Sequence, residues 1–208
     1  MKTAAYILLD RSASMQSLWE EALGSINGYV KGLPEDSRVV LATFDSVGYD
    51  VLRDTTAAEW KNITGKDAYP RGGTPLFDAS ARMMWKIMDD NADRSVFVTM
   101  TDGDENQSQH FKQAHVKNMV KTLENKDYQV VFLGANFDEV GDVASHYGLN
   151  LTRSAWNMQA GTFGQTMTGL ATQSMNYMTT GVAMNAADLG KPMTGSINLN
   201  TTKTRTAK

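Results

Sequence analysis

Residues that could bind a cation follow a short apolar run near the start of the chain. After the run 6–9, Asp10, Ser12 and Ser14 stand at alternating positions. Carboxylate and hydroxyl oxygens are the ligands that hard divalent cations such as Mg²⁺ and Mn²⁺ prefer, with no need for thiol or imidazole. Ser and Asp are also common in turns and as helix N-caps. Alone, the string is consistent with either a cation site or the start of a helix.

Two further motifs favour the cation site. Thr74 stands in a Gly-Gly-Thr-Pro string that opens a predicted helix, and Asp102 stands in the Thr-Asp-Gly string that follows the strand containing the apolar run 96–98. In an open parallel sheet, ligands collect outside the carboxyl ends of the strands. The sequence therefore predicts that the three motifs, at 10–14, 72–75 and 101–103, meet at one edge of the sheet.

The elements that must position these residues are predicted from apolar spacing. Apolar runs alternate with longer segments of helical period, which is typical of parallel strands joined by crossover helices. The predicted strands are 4–9, 37–45, 47–53, 94–99, 128–133 and 149–151, of which 47–53 forms an antiparallel edge. The predicted helices are 15–31, 56–60, 76–88, 116–123, 137–147 and 156–180. This predicts an α/β fold with a doubly wound, mostly parallel central sheet and helices on both faces.

Length and composition limit the classes of function. The 208 residues suit one α/β domain, which we place at 1–184, followed by a flexible basic tail at 185–208. Because 20 basic residues stand against 23 acidic ones, we expect no nucleic-acid partner. There is no cysteine and no apolar run long enough to cross a bilayer, so we expect a cytoplasmic protein without a membrane partner.

The three motifs together resemble the von Willebrand factor A (vWA) domain, in particular its small cytosolic bacterial and phage members. Asp-x-Ser-x-Ser at 10–14, the threonine at 74 and Thr-Asp-Gly at 101–103 have the order and spacing of that family. The resemblance covers about residues 4–180. It implies a Rossmann-like sheet that carries a metal-ion-dependent adhesion site, and for a phage-encoded member it implies the host cytoplasm.

The resemblance also implies ligand roles. Ser12 and Ser14 would bind the cation through their hydroxyls, and Thr74, Asp10 and Asp102 directly or through water. We expect Mg²⁺, with Mn²⁺ or Ca²⁺ as alternatives. The expected partner is a protein whose Asp or Glu completes the coordination. The residues that we place on the partner-binding rim of the site are Arg11, Tyr69, Arg71, Asp104 and Asn136.

The leading hypothesis is a non-enzymatic, metal-dependent protein-binding module. One alternative is a structural or assembly protein in which the metal only stabilises the loops. A second alternative is a metal-assisted phosphohydrolase that uses Asp10 and Asp102. The second is disfavoured because the chain lacks a Walker phosphate loop, a Gly-x-Ser-x-Gly elbow and a His-Glu-x-x-His helix. The oligomeric state and the biological pathway stay open.

Overall fold

The computed structural model of the chain describes residues 1–103, 105–135 and 155–185, with the backbone alone at 155–157. The strands are β1 (Thr3–Asp10), β2 (Arg38–Phe44), β3 (Tyr49–Thr56), β4 (Arg94–Thr101), β5 (Gln129–Ala135) and β6 (Ala155–Met158). The helices are α1 (Trp19–Lys31), α2 (Leu76–Asp90), α3 (Gln113–Glu124) and α4 (Phe163–Thr180), and a short 3₁₀ helix at Ala13–Ser17 precedes α1.

The strands form one sheet in the order β3-β2-β1-β4-β5-β6. All neighbouring strands are parallel except β2 and β3, which pair in antiparallel register at the sheet edge. The chain moves outward from β1 to β3, returns to β4 beside β1, and continues to β6. The predicted doubly wound sheet with one antiparallel edge is confirmed.

Alternate side chains of the central strands supply two hydrophobic cores, as the period of a strand requires. Ala5, Ile7 and Leu9 of β1 pack with α1 and α4 on one face. Ala4, Tyr6 and Leu8 pack with α2 and α3 on the other. Because both faces are covered, the central strands are apolar almost throughout, which is why they read as continuous apolar runs in the sequence.

Two predicted helices are corrected by the structure. The segment 56–60 is a turn, because the hydroxyl and carbonyl of Thr56 both accept a hydrogen bond from the Glu59 N–H and so close the backbone locally. The segment 156–180 is divided: Ala155–Met158 pairs with β5, and α4 begins only at Phe163. Gly161 lies between them at a φ of +87°, a backbone conformation that a helix cannot contain.

Other predictions lie outside the described residues. These are the helix at 137–147, the strand at 149–151 and, apart from its first residue, the tail at 185–208. The division of the chain at residue 184 stays a prediction. No helix among the described residues has the length and apolar character needed to span a bilayer.

Helix α4 lies in close contact with Gly32, the residue that follows α1. A Cβ on Gly32 would lie 2.7 Å from the Cβ of Ala171. In contrast, Gly28 is exposed inside α1 and has no atom within 4 Å of its Cβ position. Gly32→Ala should therefore lower the free energy of unfolding by about 1–3 kcal/mol through overpacking. Gly28→Ala should raise it by about 1 kcal/mol through helix propensity.

Urea denaturation of both variants measures this difference. Equal effects of the two substitutions would contradict the close contact between α1 and α4.

Candidate functional site

The carboxylate at the end of β1 is the innermost residue of the site. Asp10 is fully buried, and its two oxygens accept hydrogen bonds from the Ser12 N–H at 2.7 Å and from the Thr101 hydroxyl at 2.5 Å. Thr101 is opposite Asp10 because β1 and β4 pair in parallel, with Leu9 beside Met100. The register of the two central strands thus brings the first and third motifs together.

The serine hydroxyls connect Asp10 to the loop after β4. Ser12 Oγ lies 3.0 Å from Ser14 Oγ, and Ser14 Oγ donates a hydrogen bond of 2.7 Å to the Asp102 carboxylate. Ser12 is buried, whereas Ser14 is exposed and Asp102 is half-buried. The chain of polar groups therefore runs from the protein interior at Asp10 to the surface at Ser14 and Asp102.

The second motif is attached to the first by backbone hydrogen bonds. The Ala13 N–H donates to the carbonyl of Gly72 at 3.1 Å, and the Arg71 N–H donates to the carbonyl of Arg11 at 2.7 Å. Gly72 has a φ of +68°, and a Cβ there would lie 2.6 Å from Ser46 Oγ, so only glycine fits this turn. These contacts place the loop that ends at Thr74 against the Asp10–Ser14 string.

Asn106, in the loop after β4, also fixes the position of Thr74. Its side-chain oxygen accepts the Thr74 N–H at 2.9 Å, and its own N–H donates to the Thr74 carbonyl at 3.1 Å. Glu105 accepts the Phe77 N–H at the start of α2, at 2.8 Å. The segment after Asp102 therefore holds both Thr74 and the helix that follows it.

The site oxygens surround a small space beside Gly103. A Cβ on this glycine would lie 3.2 Å from Thr74 Oγ1, 3.6 Å from Ser14 Oγ and 4.0 Å from an Asp10 carboxylate oxygen. Two oxygens of the first motif, from Ser14 and Asp10, and one of the second, from Thr74, thus lie near the same point. The third motif has a glycine at this point, so no side chain fills it. All of these atoms are hard donors that suit Mg²⁺ or Mn²⁺, so the residues fit a divalent cation.

The electrostatics of the two carboxyl groups also suit a cation. Burial raises the pKa of Asp10 to about 6, even though hydrogen bonds from Thr101 and Ser12 lower it, and the charge of Asp102 raises it further. Burial likewise raises the pKa of Asp102. Burial of a charged carboxyl group carries an electrostatic cost, and a cation bound beside Asp10 and Asp102 would relieve it.

The described residues contain no cluster of three or more His, Cys, Asp or Glu side chains. Any cation bound at Asp10 and Asp102 would therefore depend on the hydroxyls of Ser12, Ser14 and Thr74.

The expected rim residues occupy different environments. Tyr69 is 63% exposed, and the Arg71 guanidinium lies 5.7 Å from the centre of its ring. Arg11, in contrast, has a buried side chain that pairs with Asp45 at 2.5 Å and with Asp50 at 2.6 Å, so it offers little surface to a partner. Asp104 and Asn136 lie outside the described residues.

Sequence analysis missed a cluster of charged residues around Asp45, which links the β2–β3 turn to two of the expected rim residues, Arg11 and Arg71. The buried Asp45 carboxylate, at the end of β2, accepts hydrogen bonds from Arg11 at 2.5 Å, from Arg71 at 2.8 Å, and from the backbone N–H groups of Val47 and Gly48. Burial alone would raise the pKa of Asp45, but these hydrogen bonds outweigh it and hold the pKa below its ordinary value. The signal available in the sequence was an acidic residue directly after a buried strand.

Solved structures of von Willebrand factor A proteins share this architecture. The chain superposes on a von Willebrand factor type A protein from Catenulispora acidiphila with a TM-score of 0.63 and 14% identity, over 84% of this chain and 43% of that one. It superposes on the von Willebrand factor domain of the type V pili tip protein Mfa5 from Porphyromonas gingivalis with a TM-score of 0.65 and 12% identity, over 82% and 94%. This chain has a vWA fold.

A third structure, the PilB minor pilin from Streptococcus sanguinis, matches with a TM-score of 0.61 and 12% identity, over 86% of this chain and 62% of the pilin. The chain spans less than half the length of the Catenulispora protein, at 43%, and of another match, the ArnB paralog VWA2 from Sulfolobus acidocaldarius, at 45%. No protein-family model and no curated protein matches the sequence. The vWA fold is thus recognised from the arrangement of strands and helices, at identities too low to carry a function.

The Asp45 cluster yields a stability prediction. Asp45→Asn should lower the free energy of unfolding at pH 7 by about 3 kcal/mol, because buried Arg11 loses its closest counter-charge. A carboxylate with a lowered pKa in the folded state stabilises a protein above its unfolded-state pKa, and this contribution disappears as the pH falls through the folded-state value. The difference between wild type and variant should therefore shrink below a pH of about 4.

Urea denaturation at pH 7 and at pH 3 measures both effects. Asp54→Asn is the matched control. Asp54 and its ion-pair partner Arg38 have side chains that are 37% and 39% exposed, so this substitution should lower the free energy of unfolding by no more than about 1 kcal/mol. Equal losses in the two variants at pH 7 would show that the Asp45 cluster does not hold the loops.

Proposed function

We propose that this vWA-fold protein is a non-enzymatic, divalent-metal-dependent protein-binding module. The residues that would hold the cation are Asp10, Ser12, Ser14, Thr74 and Asp102. The observation that carries the proposal is the gathering of Thr74 Oγ1, Ser14 Oγ and an Asp10 oxygen within 4.0 Å of one point beside Gly103. Mg²⁺ is the proposed ion because all five side chains offer hard oxygen atoms.

The donor set favours binding of an acidic group. Three of the five ligands are neutral hydroxyls, so a bound divalent cation would retain part of its positive charge and attract a carboxylate oxygen. Ser14 is exposed and Asp102 is half-buried, so a group from outside can reach this end of the site. The proposed partner is accordingly a protein that offers an Asp or Glu side chain.

The environment of Asp10 supports binding rather than catalysis. A nucleophilic carboxylate needs an oxygen that can approach a substrate. Asp10 is fully buried, and both of its oxygens already accept hydrogen bonds, from Ser12 and Thr101. Its role in the proposal is to fix the loop that carries Ser12 and Ser14 and to add negative charge.

The structural neighbours are consistent with a protein partner. Two of them are pilus proteins, a tip protein and a minor pilin, and pilus subunits function in protein assemblies. At 12% identity they share only the fold with this chain, so its own partner is to be identified by experiment.

Affinity purification of the tagged protein from its own cells tests the proposal. In a buffer with Mg²⁺ the wild type should retain a specific partner, and EDTA should release it. Ser14→Ala should reduce partner recovery about tenfold or more, since loss of even an indirect metal contact commonly lowers metal affinity by that factor. The control is Ser17→Ala, which removes another exposed hydroxyl from the same 3₁₀ helix.

Recovery that is equal with Mg²⁺ and EDTA, and equal in Ser14→Ala and wild type, would exclude the metal from partner binding. Metal-dependent hydrolysis of p-nitrophenyl phosphate by the wild type, abolished in Asp10→Asn, would instead identify an enzyme.

A further inference from the structure

A groove opens beside the metal-binding loops, on the sheet face that α2 and α3 cover. Its walls are the turn between β2 and β3, the first half of α2, and the segment 107–111 that precedes α3. Its volume is about 690 Å³, enough for several side chains of a bound segment. The cation site proposed above does not use this groove.

Aromatic side chains form much of the groove surface. Trp85 is 54% exposed, and its ring packs edge-on against Phe111 with centroids 5.0 Å apart. Tyr49 forms another wall, and Val47 at the groove edge is 70% exposed. Large apolar side chains left this open to water are costly, and clusters of Trp and Tyr are typical of binding surfaces.

The groove also carries one cation without a counter-charge. The Arg82 guanidinium lies 4.3 Å from the centre of the Tyr49 ring, and no carboxylate in the described part of the chain forms an ion pair with it.

The two acidic groups of the groove are occupied elsewhere. Asp78 accepts the backbone N–H groups of residues 109–111, and Asp45 binds Arg11 and Arg71. Arg82 therefore has no carboxylate partner among the described residues and can bind an incoming carboxylate.

The groove is continuous with the metal-binding loops. Pro75 lines the groove and directly follows Thr74. Ser46 also lines it, and its hydroxyl accepts the Gly73 N–H at 2.9 Å. A segment lying in the groove would therefore pass beside the loop that holds Thr74, within reach of a chain that also places a carboxylate at the cation.

We propose that this groove binds an acidic, aromatic peptide segment of the partner protein, with a carboxylate at Arg82 and an aromatic ring against Trp85 and Phe111. The proposal rests on the proposed function, because the same partner would offer a second carboxylate to the cation. It adds a sequence preference to that function: the partner segment combines at least two acidic residues with a bulky ring. Arg82 and Trp85 set this preference.

A synthetic probe tests the groove. The probe is a fluorescein-labelled peptide, Gly-Ser-Asp-Gly-Trp-Asp-Gly-Ser, which we call the Asp-Trp-Asp peptide after its three key residues. Two companion peptides replace Trp by Ala or both Asp by Asn. Fluorescence anisotropy with the full chain in Mg²⁺ should show the Asp-Trp-Asp peptide binding at least about tenfold more tightly than either companion. Arg82→Gln and Trp85→Ala should each weaken its binding about tenfold.

The control for Arg82→Gln is Lys121→Gln, which removes one positive charge from an exposed position of α3 outside the groove. It should leave the affinity of the peptide unchanged. Because Arg82 and Trp85 are exposed, both groove variants should fold, and their urea midpoints confirm this.

The groove variants and the EDTA measurement together distinguish the groove proposal from the cation-site proposal. Weaker binding of the peptide to both groove variants supports the groove proposal. If EDTA leaves the binding of the peptide to the wild type unchanged, the cation takes no part in that binding and the groove proposal stands. Binding that EDTA abolishes but that neither groove variant changes overturns the groove and leaves the cation site intact. Failure of the Asp-Trp-Asp peptide to bind better than its companions in either buffer also overturns the groove.

Discussion

The burial of the Asp10 carboxylate is the constraint on which the rest of the site depends. A carboxylate removed from water is costly unless hydrogen bonds compensate it, and Asp10 receives them from the Ser12 backbone and the Thr101 hydroxyl. The first bond sets the turn that brings Ser12 and Ser14 together. The second ties the end of β1 to the end of β4, from which Asp102 and Gly103 follow. One buried group thus helps to place three of the other four site residues, Ser12, Ser14 and Asp102.

A second buried carboxylate organises the neighbouring surface. Asp45 binds Arg11, Arg71 and the backbone of its own turn, so it fixes the β2–β3 turn against the loops of the first two motifs. Ion pairs of this kind are poor evidence for overall stability, since desolvation offsets much of their attraction. Their value here is positional: they hold the β2–β3 turn, which forms one wall of the aromatic groove, beside the metal-binding loops.

The fold and the grouping of the site oxygens were predictable from sequence because both depend on local patterns. Buried strands read as apolar runs, and Asp10 and Asp102 come directly after two of them. Arg11 could not be placed, because its partners Asp45 and Asp50 are distant in the chain and meet it only in the folded sheet. The hydrogen bonds between Asn106 and the Thr74 backbone could not be predicted either, because these two residues are also distant in the chain. The segment 156–180 was misassigned because helical spacing alone does not reveal a four-residue strand ahead of a helix.

The central claim is that Asp10, Ser12, Ser14, Thr74 and Asp102 bind one divalent cation, and calorimetric titration of the metal-free protein with Mg²⁺ and Mn²⁺ tests it most directly. The account predicts one ion per chain. It also predicts strongly reduced affinity when Gly103→Ala adds a methyl group 3.2 Å from Thr74 Oγ1, whereas Gly164→Ala, in open space on α4, leaves the affinity unchanged. Absence of binding in the wild type, or equal binding in Gly103→Ala, would contradict it.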